Sequence, residues 1–358
     1  METDGYNMST QLSLSRDNFH YRHNTPQGIF LRNLLKRTGP LRDVWYTDTM
    51  NMPSISHLKK WYKGTVIIYC WWDPARDIIT KFLDDSDLNF VLITSDVQYA
   101  GSHEKQHVIE WKKQYGLHYD LIEHSRPATF TVGNKFLCMM RNHKSERIQF
   151  LQSLWKQNKL QNLISYLGQV NTENNGRVAR TLEDIIKPQR FIDSEFTHKL
   201  EPEFIDYCTN NLPLQLHEDT TQSLERNTDF YTVGNINWYD QTDYSVILET
   251  YWAKTIFITE KSFKPIIAQH PFINLGNNTT KLLKNLGFDV FDDVLNLEYD
   301  SMPTNEKINF VSNMLPVKFD IDPIRLKQNL NTFKDLRQQA IEEHSLLIDS
   351  LEDILTNI

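Results

Sequence analysis

The apolar positions of this chain fall into short runs separated by polar, helix-spaced stretches. Thr65 to Trp72 (TVIIYCWW) is almost unbroken apolar sequence of strand length, the pattern of a parallel strand covered on both faces. Asp73-Pro74 then opens a helix running to about Phe82. Asn89 to Thr94 (NFVLIT) is a second strand, ending at Ser95-Asp96. The stretch Lys105 to Tyr115 reads as helix and Tyr119 to Glu123 as a third strand. Alternation of this kind predicts half of a doubly wound α/β fold.

The pattern returns further on. Lys135 to Met140 reads as a strand, Ile148, Leu151, Leu154 and Trp155 recur at helical spacing, and Leu163 to Leu167 is the next strand. Gln169 to Arg226 is polar and irregular, with Pro202 and Pro213, and reads as an insertion or a set of loops. Ser245 to Leu248 is a short apolar run ending on Glu249, and Ile256 to Thr259 is another, ending on Thr259-Glu260-Lys261. Phe263, Ile266 and Ile267 follow at helical spacing. Pro265 is expected within about the first turn, where its missing N–H costs nothing. Pro271 to Leu275 reads as a buried strand stopped by Gly276. A helix over Thr279 to Leu286, a short strand over Phe288 to Phe291 and one or two amphipathic helices over Pro323 to Ile358 complete the pattern.

Length sharpens this picture. A chain of 358 residues suits two domains of about 150 to 200 residues each. Its 40% hydrophobic and 12% aromatic content supplies a sizeable core, so disorder is expected only near the first residues. The longest apolar runs fall far short of the ~20 residues of a membrane helix. The opening METDGYNMSTQLS is polar and acidic, unlike a signal peptide, and a cytoplasmic protein is expected. Cys70, Cys138 and Cys208 lack metal or redox spacing; two of them sit in apolar strands and read as buried thiols of a reducing compartment.

Two segments carry candidate chemistry. The first is Asp243 to Gly276, where a helix beginning after a strand aims backbone N–H groups at the adjacent cleft. A carboxylate and an ammonium at that helix start, Glu260 and Lys261, suit a ligand bearing both hydroxyls and phosphates; ordinary capping uses the same residue types. The second is Asn134 to Gly168, whose strand-to-helix turn carries Arg141, His143, Lys144 and Arg147. Lys135 to Lys159 holds six basic residues and one acidic in a chain of net charge −8. That basic focus reads as a diphosphate site or as a solvated loop. Asp85-Ser86-Asp87 precedes its strand, the wrong end for an α/β site, and Asp320-Ile321-Asp322 abuts Pro323 and reads as a helix cap. No glycine-rich phosphate loop appears, which counts against kinases and dehydrogenases.

These residues resemble the donor-binding signature of the α1,3-fucosyltransferase family, a Phe-Glu-Asn turn followed by Tyr-Ile-Thr-Glu-Lys and a helix. They are also similar to glycosyltransferase-like proteins of bacteria and tailed phages. Glu249 matches the first Glu, and Thr259, Glu260 and Lys261 match the Thr-Glu-Lys. Thr250 stands in place of Asn, Phe257 in place of Tyr, and the intervening loop is one residue longer. Arg147 best matches the family's phosphate-contacting Arg at a helix start, with Arg141 second. The two segments cover roughly a fifth of the chain; the N-terminal part is less similar.

The resemblance implies an α/β fold of GT-B type, with two Rossmann-like domains and C-terminal helices. Residues 1–128 would form an acceptor-side domain and 129–322 a nucleotide-sugar domain; 323–358 would be helices crossing back to the first domain. It implies an inverting sugar transfer from a nucleotide-sugar to a hydroxyl, with no essential metal and no cofactor beyond that co-substrate. A base is then expected from the first domain: Asp73, within Trp71-Trp72-Asp73-Pro74, or Asp96 at the next strand end. Each also reads as a helix cap. The acceptor is a glycan or a hydroxymethylated DNA base. Net charge −8 and pI near 5.8 weigh against duplex binding, whereas His20, Arg22, His23, Arg32, Lys36, Arg37 and Arg42 favour it. A non-catalytic nucleotide- or sugar-binding module on the same fold is the alternative.

Overall fold

The computed structural model describes residues 44–48, 65–70, 89–94, 106–110, 126–142, 144–171, 177–179, 200–212, 214, 233–249, 256 and 258–357. The chain divides into two compact units, one of Met1–Tyr119 with Lys334–Ile358 and one of Asp120–Phe333. Both are α/β.

The first unit holds a four-stranded parallel sheet of β1 (Val44–Asp48), β2 (Thr65–Cys70), β3 (Asn89–Thr94) and β4 (Gln106–Glu110), in that spatial order. The register is continuous, Val44↔Thr65↔Asn89 at one end and Thr94↔Glu110 at the other. Two features differ from the sequence reading. Lys105 to Tyr115 is expected to be helix, yet its first half is β4. Adjacent β-branched Val108 and Ile109 lose side-chain freedom in a helix and are suited to pairing with β3. Val44–Asp48, rich in β-branched and aromatic residues, adds an edge strand where no element is expected. The third strand expected over Tyr119 to Glu123 lies outside the described residues.

The second unit builds on β5 (Phe136–Asn142), α1 (Ser145–Lys156), β6 (Leu163–Asn171) and β7 (Arg177–Ala179). It continues through α2 (Pro202–Asn211), α3 (Ile236–Asp240), β8 (Tyr244–Ile247), α4 (Glu260–Ile267) and β9 (Phe272–Asn274). Then come α5 (Thr279–Asn285), a 3-10 turn (Leu297–Ser301), α6 (Thr304–Met314) and α7 (Pro323–Asn357), whose residues beyond Phe333 belong to the first unit. The sheet order is β7-β6-β5-β8-β9, parallel except for the antiparallel edge pair β6–β7. Within the stretch expected to be irregular, Pro202 takes the first helical turn of α2, where it lacks only a donor the helix does not use. No described helix is long and apolar enough to cross a membrane.

The core lies on both faces of this sheet. Phe136, Leu137, Cys138 and Met140 of β5, and Tyr244, Val246 and Ile247 of β8, are buried. Ile148, Leu151 and Leu154 of α1 and Phe263, Ile266 and Ile267 of α4 are buried as well. Phe263 stacks on Phe333 with ring centroids 5.0 Å apart, and Tyr244 meets Phe319 at 5.2 Å. Pro265 sits in the second turn of α4 rather than the first, so one i→i−4 bond of this helix cannot form.

Phe288 to Phe291 is not a strand. The side chain of Asn329 takes the place of a neighbouring strand: its Oδ1 accepts from Asp289 N–H at 2.7 Å and its Nδ2 donates to Asp289 C=O at 2.8 Å. Phe291 has φ 60°, outside the extended region of a regular strand. The foot of β8 is pinned by His270, which is 1% exposed. A carbonyl only accepts, so Nε2, 3.0 Å from Thr242 C=O, carries the hydrogen and Nδ1 accepts from the Ser245 hydroxyl at 2.9 Å. Burial pushes this imidazole down to about 4.

Candidate functional site

Among the described residues, the strand order of the second unit places a topological switch point between β5 and β8. From β5 the chain crosses through α1 to β6 on one side; from β8 it crosses through α4 to β9 on the other. β5 and β8 are parallel neighbours, so the direction of winding reverses between them. In open α/β sheets the space outside the carboxyl ends of such a strand pair is where ligands bind. The helices α1 and α4 both begin there and direct backbone N–H groups toward it.

Thr259 caps α4, its hydroxyl accepting from Lys261 N–H at 3.3 Å. Just beyond the end of β8, Glu249 is fully buried. Its carboxylate accepts from Thr259 N–H at 3.1 Å, from the Thr259 hydroxyl at 2.7 Å and from the Ser262 hydroxyl. Glu249 thus bolts the start of α4 to the end of β8. Glu260 is the first residue of α4 and 5% exposed. Lys261 Nζ lies 4.0 Å from a Glu260 carboxylate oxygen, and the Lys261 side chain keeps 28% of its surface in solvent. Among the described residues at this helix start, Lys261 is a part-exposed cation.

Across the crevice, Arg147 is the third residue of α1 and 2% exposed. Its Nη2 lies 3.5 Å from Leu248 C=O, at the long limit of a hydrogen bond. Burial pulls the guanidinium below its ordinary value, opposed by Glu146, Tyr166, Glu249 and Cys138, so Arg147 and Glu249 lie within electrostatic reach. The structure therefore brings together residues about a hundred positions apart, from both segments that the sequence singles out. Arg141 lies near the end of β5, and its side chain is outside the described residues. Asp73 and Asp96 are outside them as well.

Five buried residues on these elements carry no signal that the motif reading uses. Glu146, 4% exposed beside Arg147, has its carboxyl raised by burial against the pull of its own backbone N–H, Lys144 and Arg147. Ser262 reaches Glu249 from the first turn of α4. Asn274 ends β9, an amide inside an otherwise apolar strand; that break in the pattern is the available clue. Lys307, fully buried in α6, donates to Gly276 C=O at 2.9 Å and Asp300 C=O at 3.0 Å. Asp300 turns its carboxylate to the start of α5, accepting from Thr280 and Lys281 N–H at 3.1 and 2.9 Å.

Comparison with protein-family models, with curated proteins and with solved structures gives no match. Among the described residues, no group of three or more His, Cys, Asp or Glu is positioned to hold a metal ion. Asp322 of the second Asp-x-Asp caps α7, its Oδ1 accepting from Ile324 N–H at 2.9 Å. The arrangement at the β5–β8 crevice offers two helix starts, the buried charge of Arg147 and the part-exposed ammonium of Lys261. Such a set favours a phosphate-bearing ligand, with Glu260 beside it for hydroxyls.

Proposed function

We propose that this protein is a GT-B-type glycosyltransferase that moves a sugar from a nucleotide-sugar donor to an acceptor hydroxyl. The observation that carries the reading is the convergence of Arg147 and the Glu249/Thr259–Lys261 turn on one topological switch point. Lys261 contacts the diphosphate, while Arg147 and the amides of α1 and α4 lower its energy as the leaving group gains charge. Glu249 sets the angle of the helix start, and Glu260 accepts from donor hydroxyls. The base that takes the acceptor proton is Asp73 or Asp96, the reaction inverts the anomeric centre, and the enzyme works in the cytoplasm without an essential metal. The acceptor is a glycan or a hydroxymethylated base in DNA.

The test is a thermal-shift screen with guanosine, uridine, cytidine and adenosine diphosphates and their sugar conjugates. A nucleotide present at 100 times its dissociation constant adds about 2.7 kcal/mol of stability. Selective stabilisation by one base series, lost in Lys261→Ala and Arg147→Ala, is the expected result. Absence of a shift with every nucleotide would overturn the reading. A second reading, a non-catalytic nucleotide- or sugar-binding module, draws on the burial of Glu249 and Arg147, both built into the fold. Slow hydrolysis of the donor without acceptor separates the two, since a binding module releases no sugar.

A further inference from the structure

A buried chain of hydrogen bonds joins the carboxyl ends of β9 and β8. Gly276 N–H donates to Asn274 Oδ1 at 2.9 Å, and because a backbone N–H can only donate, the Asn274 oxygen must face it. The Thr279 hydroxyl donates to the same oxygen, also at 2.9 Å. The Asn274 amide hydrogens therefore point the other way, toward the Ser262 oxygen at 2.6 Å. With its oxygen accepting, Ser262 directs its own hydrogen to Glu249. Every donor runs in one direction, Thr279 to Asn274 to Ser262 to the carboxylate, and each residue in the chain is at most 1% exposed. Hydrogen bonds aligned head to tail polarise one another in a low-dielectric interior, and a charged terminus strengthens the set. Glu249 in turn holds both the N–H and the hydroxyl of Thr259, which caps the turn bearing Lys261.

We infer that Asn274, together with Ser262, is a positioning residue that fixes the Thr259–Lys261 turn through Glu249. The inference rests on the proposed function only for its ligand; the positioning itself is a property of the fold. The turn is braced from a neighbouring strand end, so its geometry depends on residues that touch no ligand. Gly276 belongs to the same device. A Cβ there would overlap the Thr279 side chain, with Oγ1 only 2.8 Å away, and force Thr279 off Asn274.

Amide hydrogen exchange on the full chain tests this without any ligand. In Asn274→Leu, the Thr259 and Lys261 amides should exchange about tenfold faster relative to those of β6, the effect of losing one bond in a buried network. Ser262→Ala and Thr279→Val should move the same two amides, and serve if Asn274→Leu does not fold. Thr279→Ser, which keeps the hydroxyl, should restore the wild-type ratio. Phe204→Leu, a core change in α2, should leave that ratio untouched. Acceleration shared equally by all elements, or none at Thr259 and Lys261, would overturn the positioning role. A second arm measures the affinity of the nucleotide that stabilises the wild type. Asn274→Leu should weaken it about tenfold and Thr279→Ser should not. If no nucleotide binds the wild type but the exchange contrast holds, the donor-site reading falls and the positioning role stands. If a nucleotide binds wild type and Asn274→Leu equally and the contrast is missing, the positioning role falls alone.

Discussion

Lowering the pH from 7.5 to 4.5 tests how firmly the fold excludes a proton from His270. Both ring nitrogens are committed, Nε2–H to Thr242 C=O and Nδ1 to the Ser245 hydroxyl, and the ring stands edge-on to Tyr239 at 5.3 Å. A second ring hydrogen would face a hydroxyl already aimed at Nδ1 and bring an uncompensated charge into the core. Asp243 and Asp240 pull the other way, as does the bond to Thr242, but burial dominates and holds the group at about 4 against an ordinary 6.5. The folded value lies below the unfolded one, so the unfolded chain takes up the proton first. Stability is therefore intact above about pH 6.5 and falls by roughly 1.4 kcal/mol per pH unit down to about 4, some 3 kcal/mol in all. Urea titrations of wild type and His270→Gln at pH 7.5, 6.5, 5.5 and 4.5 read this directly. At pH 7.5 the variant should be less stable by about 2 kcal/mol, for two disturbed hydrogen bonds. By pH 4.5 the gap should close and reverse, because the variant has no imidazole to protonate. Parallel pH profiles for the two proteins would refute the reasoning.

Three further outcomes follow from the same geometry. Glu249→Ala leaves three buried donors on Thr259 and Ser262 without their acceptor and should cost about 3–5 kcal/mol in denaturant titration; a loss below about 1 kcal/mol would contradict the bracing role. Gly276→Ala should cost about 1–3 kcal/mol from the clash with Thr279, read as a lower urea midpoint at unchanged slope. Lys307 is held down to about 8 by burial, so its folded value lies below the ordinary 10.5 and stability should rise as pH goes from 8 toward 10. Melting curves at pH 8 and 9.5 check this, and Lys307→Met should flatten the rise. Above pH 10 the trend should turn down, because buried Tyr239, Tyr244 and Tyr299 resist the ionisation that the unfolded chain accepts.

Much of the local structure is legible along the chain. The unbroken apolar runs of β2, β3 and β5, the helical stripe of α1 and the capped start of α4 at Thr259 are properties of neighbouring residues, and neighbouring residues announce them. The Asp322 cap is readable for the same reason. Where the decisive partner is distant, the pattern misleads. Gln106–Glu110 becomes strand because β3 offers a free edge, and Phe288 to Phe291 loses its strand because Asn329, some forty residues later, occupies its backbone groups. The candidate site divides along the same line. The sequence determined which residues carry charge and which helix starts they occupy. Only the tertiary structure decided that β5 and β8 lie side by side, that Arg147 therefore comes within reach of Glu249, and that Asn274 reaches Ser262, whose hydroxyl meets Glu249. Strand order is set by burial summed over whole faces of a sheet, which no local window of sequence contains.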